Sequence, residues 1–214
     1  YLDGSDTIDC GAGIDILMIS DDAILETSQI TNIENIVFDN KWSSVASLSL
    51  SNQNQNLTIT TKDDNAHIIN SGLGNDLIIG NDNIDVLLGG MGQDTLIGGL
   101  GNDIYVYSNS LESSIGNIDT LAGTFNGATA DTIKLPSIIG NLSIIPLQTI
   151  PKKVSEITTS VINDFLNATN GTAATHFAIG NTSVAIIKTS DNKTLLAINL
   201  NGSGNFTLSD MLID

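Results

Sequence analysis

Residues 71–106 read SGLGNDLII, GNDNIDVLL, GGMGQDTLI and GGLGNDIYV, four contiguous nonamers that follow one another without a gap. Aspartate holds the sixth place of each (Asp76, Asp85, Asp94, Asp103), and the eighth is Ile78, Leu87, Leu96 or Tyr105. Nine of the 20 glycines fall in this stretch, so the first six places read as a loop and the last three as a short strand. Glycine gives such a loop its tight turns and close backbone approach, and Asn75 and Asn102 tolerate similar geometry. A three-residue strand cannot bury a core by itself. Stacking can: two nonamers form one coil, successive coils pair in parallel, and the eighth places point inward as a continuous apolar column.

The same frame returns at residues 1–9 and 10–18, where YLDGSDTID and CGAGIDILM carry Asp6 and then Gly11, Gly13 and Asp15. A weaker copy, KDDNAHIIN at 62–70, has His67 where aspartate belongs. Between these blocks NIENIVF (32–38), VASLSLS (45–51) and NLTITTK (56–62) have strand texture without the loop motif, which predicts metal-free coils. Trp42 falls in an expected loop, partly buried. In the nonamers the seventh and ninth places are also apolar, as in Leu77, Ile79, Val86 and Leu88, and on a period-two strand they face outward. They are expected to be covered by another part of this chain or by a neighbouring molecule.

The chain has 24 acidic residues against 7 basic ones, all lysine, for a formal charge of -17. Phosphate neutralisation needs a basic face, so nucleic acid is excluded as a partner. No apolar run is long enough to span a membrane, and Tyr1 with no leader reads as a processed or truncated start. Stacking places Asp76 beside Asp94 and Asp85 beside Asp103, at about the 4.8 Å strand spacing. Between Lys62 and Lys134 there is no lysine or arginine to neutralise them. Carboxylates together with loop carbonyls make an oxygen cage suited to a hard divalent ion, calcium first.

These nonamers resemble the calcium-binding G-G-x-G-x-D-x-U-x repeats of the RTX (repeats-in-toxin) family. The resemblance implies an all-β fold, a right-handed parallel β-roll or β-solenoid, in which Asp76 with Asp94, and Asp85 with Asp103, each share Ca2+ with loop carbonyls. The implied loop positions are Gly72, Gly74, Gly89, Gly90 and Gly92 on one side, and Gly80, Asp82, Gly98, Gly99 and Gly101 on the other. Asp6, Asp15, Gly11 and Gly13 are the corresponding positions of the first block, where stacking partners for the two aspartates are not evident. His67 departs from the family pattern and argues against an ion between its loop and residues 80–85.

Three regions are expected: N-terminal coils over 1–61, the calcium-binding roll over 62–106, and a β-rich C-terminal domain with one short helix over 107–214. In the last, DTIKLPSI (131–138), HFAIG (176–180), TSVAIIK (182–188) and KTLLAINL (193–200) suggest strands of an antiparallel meander. Turn signals stand at Gly180-Asn181, Asp191-Asn192 and Asn201-Gly202. SEITTSVINDFLNAT (155–169) spaces Ile157, Val161, Phe165 and Leu166 as one helical face, with Ser155 as cap. This order is similar to the C-terminal module of proteins exported by bacterial type I secretion, whose machinery is then a partner. Asp210, Met211, Leu212 and Ile213 fit an acidic-then-apolar export signal, or an amphipathic last strand.

Catalytic motifs are missing from the sequence: His67 and His176 do not form H-E-x-x-H, no serine lies in G-x-S-x-G, and Cys10 stands in a loop place. The expectation is a non-enzymatic, calcium-dependent extracellular module of a bacterial surface protein. A surface-layer subunit that contacts copies of itself leads. A repeat-rich adhesin binding a cell-surface glycan, or the exported tail of a hydrolase or toxin, are the alternatives.

Overall fold

The structure is a computed structural model that describes residues 7–19, 24–26, 30–39, 45–51, 53–123, 130–136, 142–149, 152–167, 182–200 and 211–213. The chain divides into two compact units, Tyr1–Ser108 with Thr120–Lys134, and Asn109–Asp119 with Leu135–Asp214.

The first unit is a β-solenoid. Its strands, in chain order, are β1 (Ile8–Asp9), β2 (Ile16–Ile19), β3 (Ile24–Glu26), β4 (Ile30–Thr31), β5 (Asn35–Phe38), β6 (Ala46–Ser49) and β7 (Thr58–Thr61). They continue as β8 (His67–Gly72), β9 (Leu77–Ile79), β10 (Val86–Gly90), β11 (Thr95–Ile97), β12 (Ile104–Val106), β13 (Thr120–Ala122) and β14 (Thr132–Lys134). Alternate strands go to opposite walls: one six-stranded sheet runs β2-β5-β7-β9-β11-β13, the other β3-β6-β8-β10-β12-β14. Every pairing in both walls is parallel. β1 and β4 form a separate parallel pair.

Each wall contributes one file of inward side chains. Leu17, Ile36, Ile59, Ile78, Leu96 and Leu121 are successive partners along the first. Leu48, Ile69, Leu87, Tyr105 and Ile133 run along the second. Ile36, Ile59, Ile69, Ile78, Leu87 and Tyr105 have no exposed surface. Burying one such aliphatic side chain is worth ~1.5–3 kcal/mol, and the files supply this in every coil, which is why strands of three residues persist. Leu77, Ile79, Val86, Leu88, Ile97, Ile104 and Val106 face outward and are half-buried.

The coils between the glycine-rich blocks join the same walls through β5, β6 and β7, as their alternation predicts. The solenoid also runs past Val106. DTIKLPSI does not enter the C-terminal meander: its strand β14 pairs with β12, Tyr105 opposite Ile133. Trp42, HFAIG, and the turns at 180–181 and 201–202 lie outside the described residues.

The second unit has β15 (Leu142–Thr149), β16 (Thr182–Lys188), β17 (Thr194–Asn199) and β18 (Met211–Ile213), with α1 (Thr159–Asn167) between β15 and β16. β16 and β17 form the expected hairpin, closed by Asn192 at φ 64. β18 continues it antiparallel, but β15 joins β16 in parallel, so the sheet is mixed and not a plain meander. A crossover containing α1 is what allows that pairing. The helix starts later than Ser155 implies. Residues Val154–Glu156 form a 3-10 turn, and Thr158 Oγ1 accepts the Val161 N–H at 3.2 Å as the cap. Ile157 therefore precedes the helix, and Ile162 is the helix residue buried in the core cluster with Ala185, Ile187, Leu195 and Leu212. Among the described residues no helix is long and apolar enough to cross a membrane.

Truncating the buried Ile78 (Ile78→Ala) is expected to lower unfolding free energy by ~2–5 kcal/mol in urea titration. Ile14→Ala, at a side chain 83% exposed, is expected to change it by no more than about 0.5 kcal/mol.

Candidate metal-binding carboxylate ladder

At the corner where a loop turns into a strand, the backbone N–H has yet to enter the sheet ladder and needs an acceptor. In this solenoid a side chain from the following coil provides it. On the first wall Asp15 N–H donates to Glu34 Oε2 at 2.9 Å, Leu57 N–H to Asp76 Oδ1 at 2.8 Å, and Asp76 N–H to Asp94 Oδ1 at 2.8 Å. On the second, His67 N–H donates to Asp85 Oδ1 at 2.7 Å, and Asp85 N–H to Asp103 Oδ1 at 2.8 Å. Asp103 N–H donates in turn to Asp131 Oδ1 at 2.8 Å. The two expected vertical pairs are thus both assembled, and Asp76, Asp85, Asp94 and Asp103 are all buried.

The glycines explain how the carboxylates fit. A Cβ on Gly98 would collide with Asp103 Oδ2, one on Gly89 with Asp94 Oδ2, and one on Gly80 with Asp85 Oδ2 and the Gly98 carbonyl. In the last three nonamers the first place is therefore the floor on which its own carboxylate rests; in the first, Ser71 holds that place and its hydroxyl donates to the Gly89 carbonyl at 2.9 Å. Second and fourth places serve the stacking of loops. Gly90, at φ 88, lies directly over the Gly72 carbonyl, and Gly99, at φ 104, over the Asn81 carbonyl. Gly92 lies over the Gly74 carbonyl and Gly101 over that of Asn83. The Gly72 carbonyl also accepts the Met91 N–H at 2.9 Å. An amide ladder runs beside it: Asn56 Oδ1 takes the Asn75 N–H at 2.9 Å, and Asn75 Oδ1 the Gln93 N–H at 2.8 Å.

One oxygen of each rung is thereby committed to backbone. The other differs between sites. Asp76 Oδ2 and Asp103 Oδ2 are buried with no hydrogen-bond partner. Leaving an ionised carboxylate oxygen so placed is unfavourable, and the group responds by holding its proton. Burial, the largest effect, raises Asp76 above the usual carboxylate range against the N–H of Leu57 and the nearby Ser71 hydroxyl, whose own hydrogen bond goes to the Gly89 carbonyl at 2.9 Å. Burial likewise pushes Asp103 up to about 6, with Asp131 and Asp85 adding repulsion to it. Tyr105 is raised to about 12, again by burial first. Its neutral hydroxyl accepts the Gly98 N–H at 3.0 Å and donates to the Ala122 carbonyl at 2.9 Å, tying the corner beside Asp103 across the core.

Among the described residues no group of three or more His, Cys, Asp or Glu side chains is arranged to hold a metal ion by itself. What converges is pairs of carboxylates with loop carbonyls stacked beside them. That donor set, all oxygen and with a buried oxygen still to be satisfied, fits a hard divalent cation better than a thiolate- or imidazole-seeking metal.

Other predicted positions fall outside this arrangement. Asp82 is exposed on its loop, away from the buried rungs. Asp6 lies outside the described residues. Asp15 stacks on Glu34, an acidic neighbour that the nonamer frame did not supply, and Asp15 Oδ2 is buried without a hydrogen-bond partner. Gly11 and Gly13 take φ 84 and 142 in an exposed loop. There Asp9 Oδ1 accepts the Gly11 N–H at 3.0 Å and the Asn32 side chain at 2.7 Å. Two rungs were not found from the repeat, Glu34 and Asp131. Each has a local signal: an acid standing immediately before an alternating strand, with Asp131-Thr132-Ile133 echoing Asp94-Thr95-Leu96.

Comparison of the chain with known protein families, with curated proteins and with solved structures finds no match.

Because Asp103 binds its proton more tightly folded than unfolded, its share of stability is complete below pH about 3.8 and is lost as pH rises towards about 6. Asp103→Asn keeps an acceptor for Asp85 N–H and removes the charge. In EGTA the variant is expected to melt at the same temperature as wild type near pH 4 and higher than wild type at pH 7. Equal melting temperatures at both pH values would contradict the assignment.

Proposed function

We propose that this chain is a calcium-dependent folding module of an extracellular bacterial surface protein, built on repeats of the RTX type. The observation that carries the reading is the pair of stacked, buried carboxylates on each wall. Asp76 and Asp103 keep an oxygen without a hydrogen-bond partner, in a stretch free of lysine and arginine from residue 63 to 133. A divalent cation supplies what the protein withholds.

Without the ion, ionised rungs repel one another and short strands hold weakly, so the repeats stay loose enough to pass an export channel. At calcium levels at or above the roughly 10⁻⁴ to 10⁻³ M dissociation constants of extracellular modules, the rungs are neutralised and the coils close. Binding free energy then becomes folding free energy. Type I export fits this scheme and the acidic-then-apolar run Asp210-Met211-Leu212-Ile213. Leu212 and Ile213 are buried in β18 of the folded second unit, so an export receptor would read them before folding.

Within the surface-protein class a lattice-forming surface-layer role is favoured by the outward rows of Leu77, Ile79, Val86, Leu88, Ile104 and Val106. Their half-burial leaves apolar area on both walls for a neighbouring copy. The module is read as structural and not enzymatic.

Circular dichroism at pH 7 is expected to show β structure growing on calcium addition and reversing with EGTA, with magnesium a poor substitute. Asp76→Asn combined with Asp103→Asn is expected to abolish most of the response. A spectrum unchanged by EGTA would remove the calcium reading, and calcium-independent sheets under the electron microscope would remove its link to a lattice.

A further inference from the structure

The junction between loops 62–67 and 80–85 is built differently from the two beside it. Its second place holds Asn81 where the next loops have Gly90 and Gly99, and Asn81 does not share their positive φ. The side chain turns down onto the previous loop. Asn81 Nδ2 donates to the carbonyl of Asp63 and to that of Asn65, both at 2.7 Å. Those carbonyls occupy the second and fourth places of their loop, the places whose counterparts at Gly72 and Gly74 face glycines in the coil above. One carboxamide thus spans two oxygens whose counterparts at Gly72 and Gly74 meet only backbone of the coil above.

The rung at this junction is also closed by protein groups. Asp85 Oδ1 takes the His67 N–H, and Asp85 Oδ2 takes the Asn81 N–H at 3.0 Å, so both oxygens are satisfied, unlike those of Asp76 and Asp103. His67 stands in the aspartate place. Its Nδ1 lies 3.3 Å from Asp85 Oδ1; its Nε2, buried and making no hydrogen bond, lies 3.3 Å from Asp63 Oδ2; and its ring packs edge-on against Phe38 at 5.1 Å. Histidine, a carboxamide and backbone do here what calcium is assigned to do one coil further on.

We propose that this junction is a metal-independent latch: the Asn81 carboxamide takes the carbonyls a cation would bind, so β8 and β10 keep their register in calcium-free protein and template the coils that follow. A preformed pair of coils removes the least favourable step, since each later coil then adds to an existing edge. The latch rests on the calcium reading only for its contrast with the neighbouring junctions.

Hydrogen exchange of the full chain, with calcium and with EGTA at pH 7, tests it. In EGTA, wild-type amides of β8 and β10 are expected to exchange at least about tenfold more slowly than those of β11 and β12. Asn81→Ala is expected to erase that difference. Asn81→Asp keeps the side chain's size, loses both donors, and places a carboxylate beside two carbonyls. It is expected to lose protection in EGTA and regain it with calcium, turning a metal-free junction into a metal-dependent one, and it serves where the alanine variant does not fold. Wild-type protection in EGTA that survives both substitutions, or no protection of β8 and β10 in wild type, overturns the latch. Failure of the calcium reading would be seen separately, as β11 and β12 amides that ignore calcium in wild type.

Discussion

At six corners of the solenoid a backbone N–H needs an acceptor, and the chain meets that need with a carboxylate from the next coil. The bond from Asp85 N–H to Asp103 Oδ1, at 2.8 Å, is representative. It fixes the register of one loop on another, because a one-residue slip would move every carboxylate off its donor and every inward side chain out of the column. It also buries a group that prefers water when ionised. The glycine floors at Gly80, Gly89 and Gly98 follow from having to place that carboxylate at the corner.

The same choice sets up the chemistry. A neutral acceptor would satisfy the N–H without burying charge, and Asn56 does this for Asn75 on the rim. Carboxylates at the buried rungs instead leave Asp76 and Asp103 with an oxygen that no hydrogen bond meets. Protons answer this at low pH and a divalent cation does so at neutral pH, so stability becomes sensitive to whichever is present. Where protein groups answer it, as at Asp85, the same geometry needs neither.

The nonamers made the walls legible because four of them share one register, with rungs 18 residues apart between Asp76 and Asp94 and between Asp85 and Asp103. Elsewhere the coils change length. Asp103 reaches Asp131 across 28 residues, and no fixed period leads from one to the other, though the strand after each repeats the alternation. Glu34 escaped for a related reason: an acid of another type, 19 residues from Asp15, does not register as a repeat. Ser155 and Thr158 are both credible caps for α1, and the turn between them is held by contacts the sequence pattern does not show, such as the Asp191 carboxylate taking the Val154 N–H. Parallel pairing of β15 with β16 depends on contacts across a long crossover, which adjacent turn residues do not encode.

Crystals grown with calcium and measured at a wavelength where calcium scatters anomalously give the most direct test of the ion's place in the ladder. The account predicts anomalous peaks between loops 71–76 and 89–94 and between 80–85 and 98–103, within about 2.3–2.6 Å of carboxylate and carbonyl oxygens. Loops that stack in the same register with no peak beside Asp76 or Asp103 would contradict it.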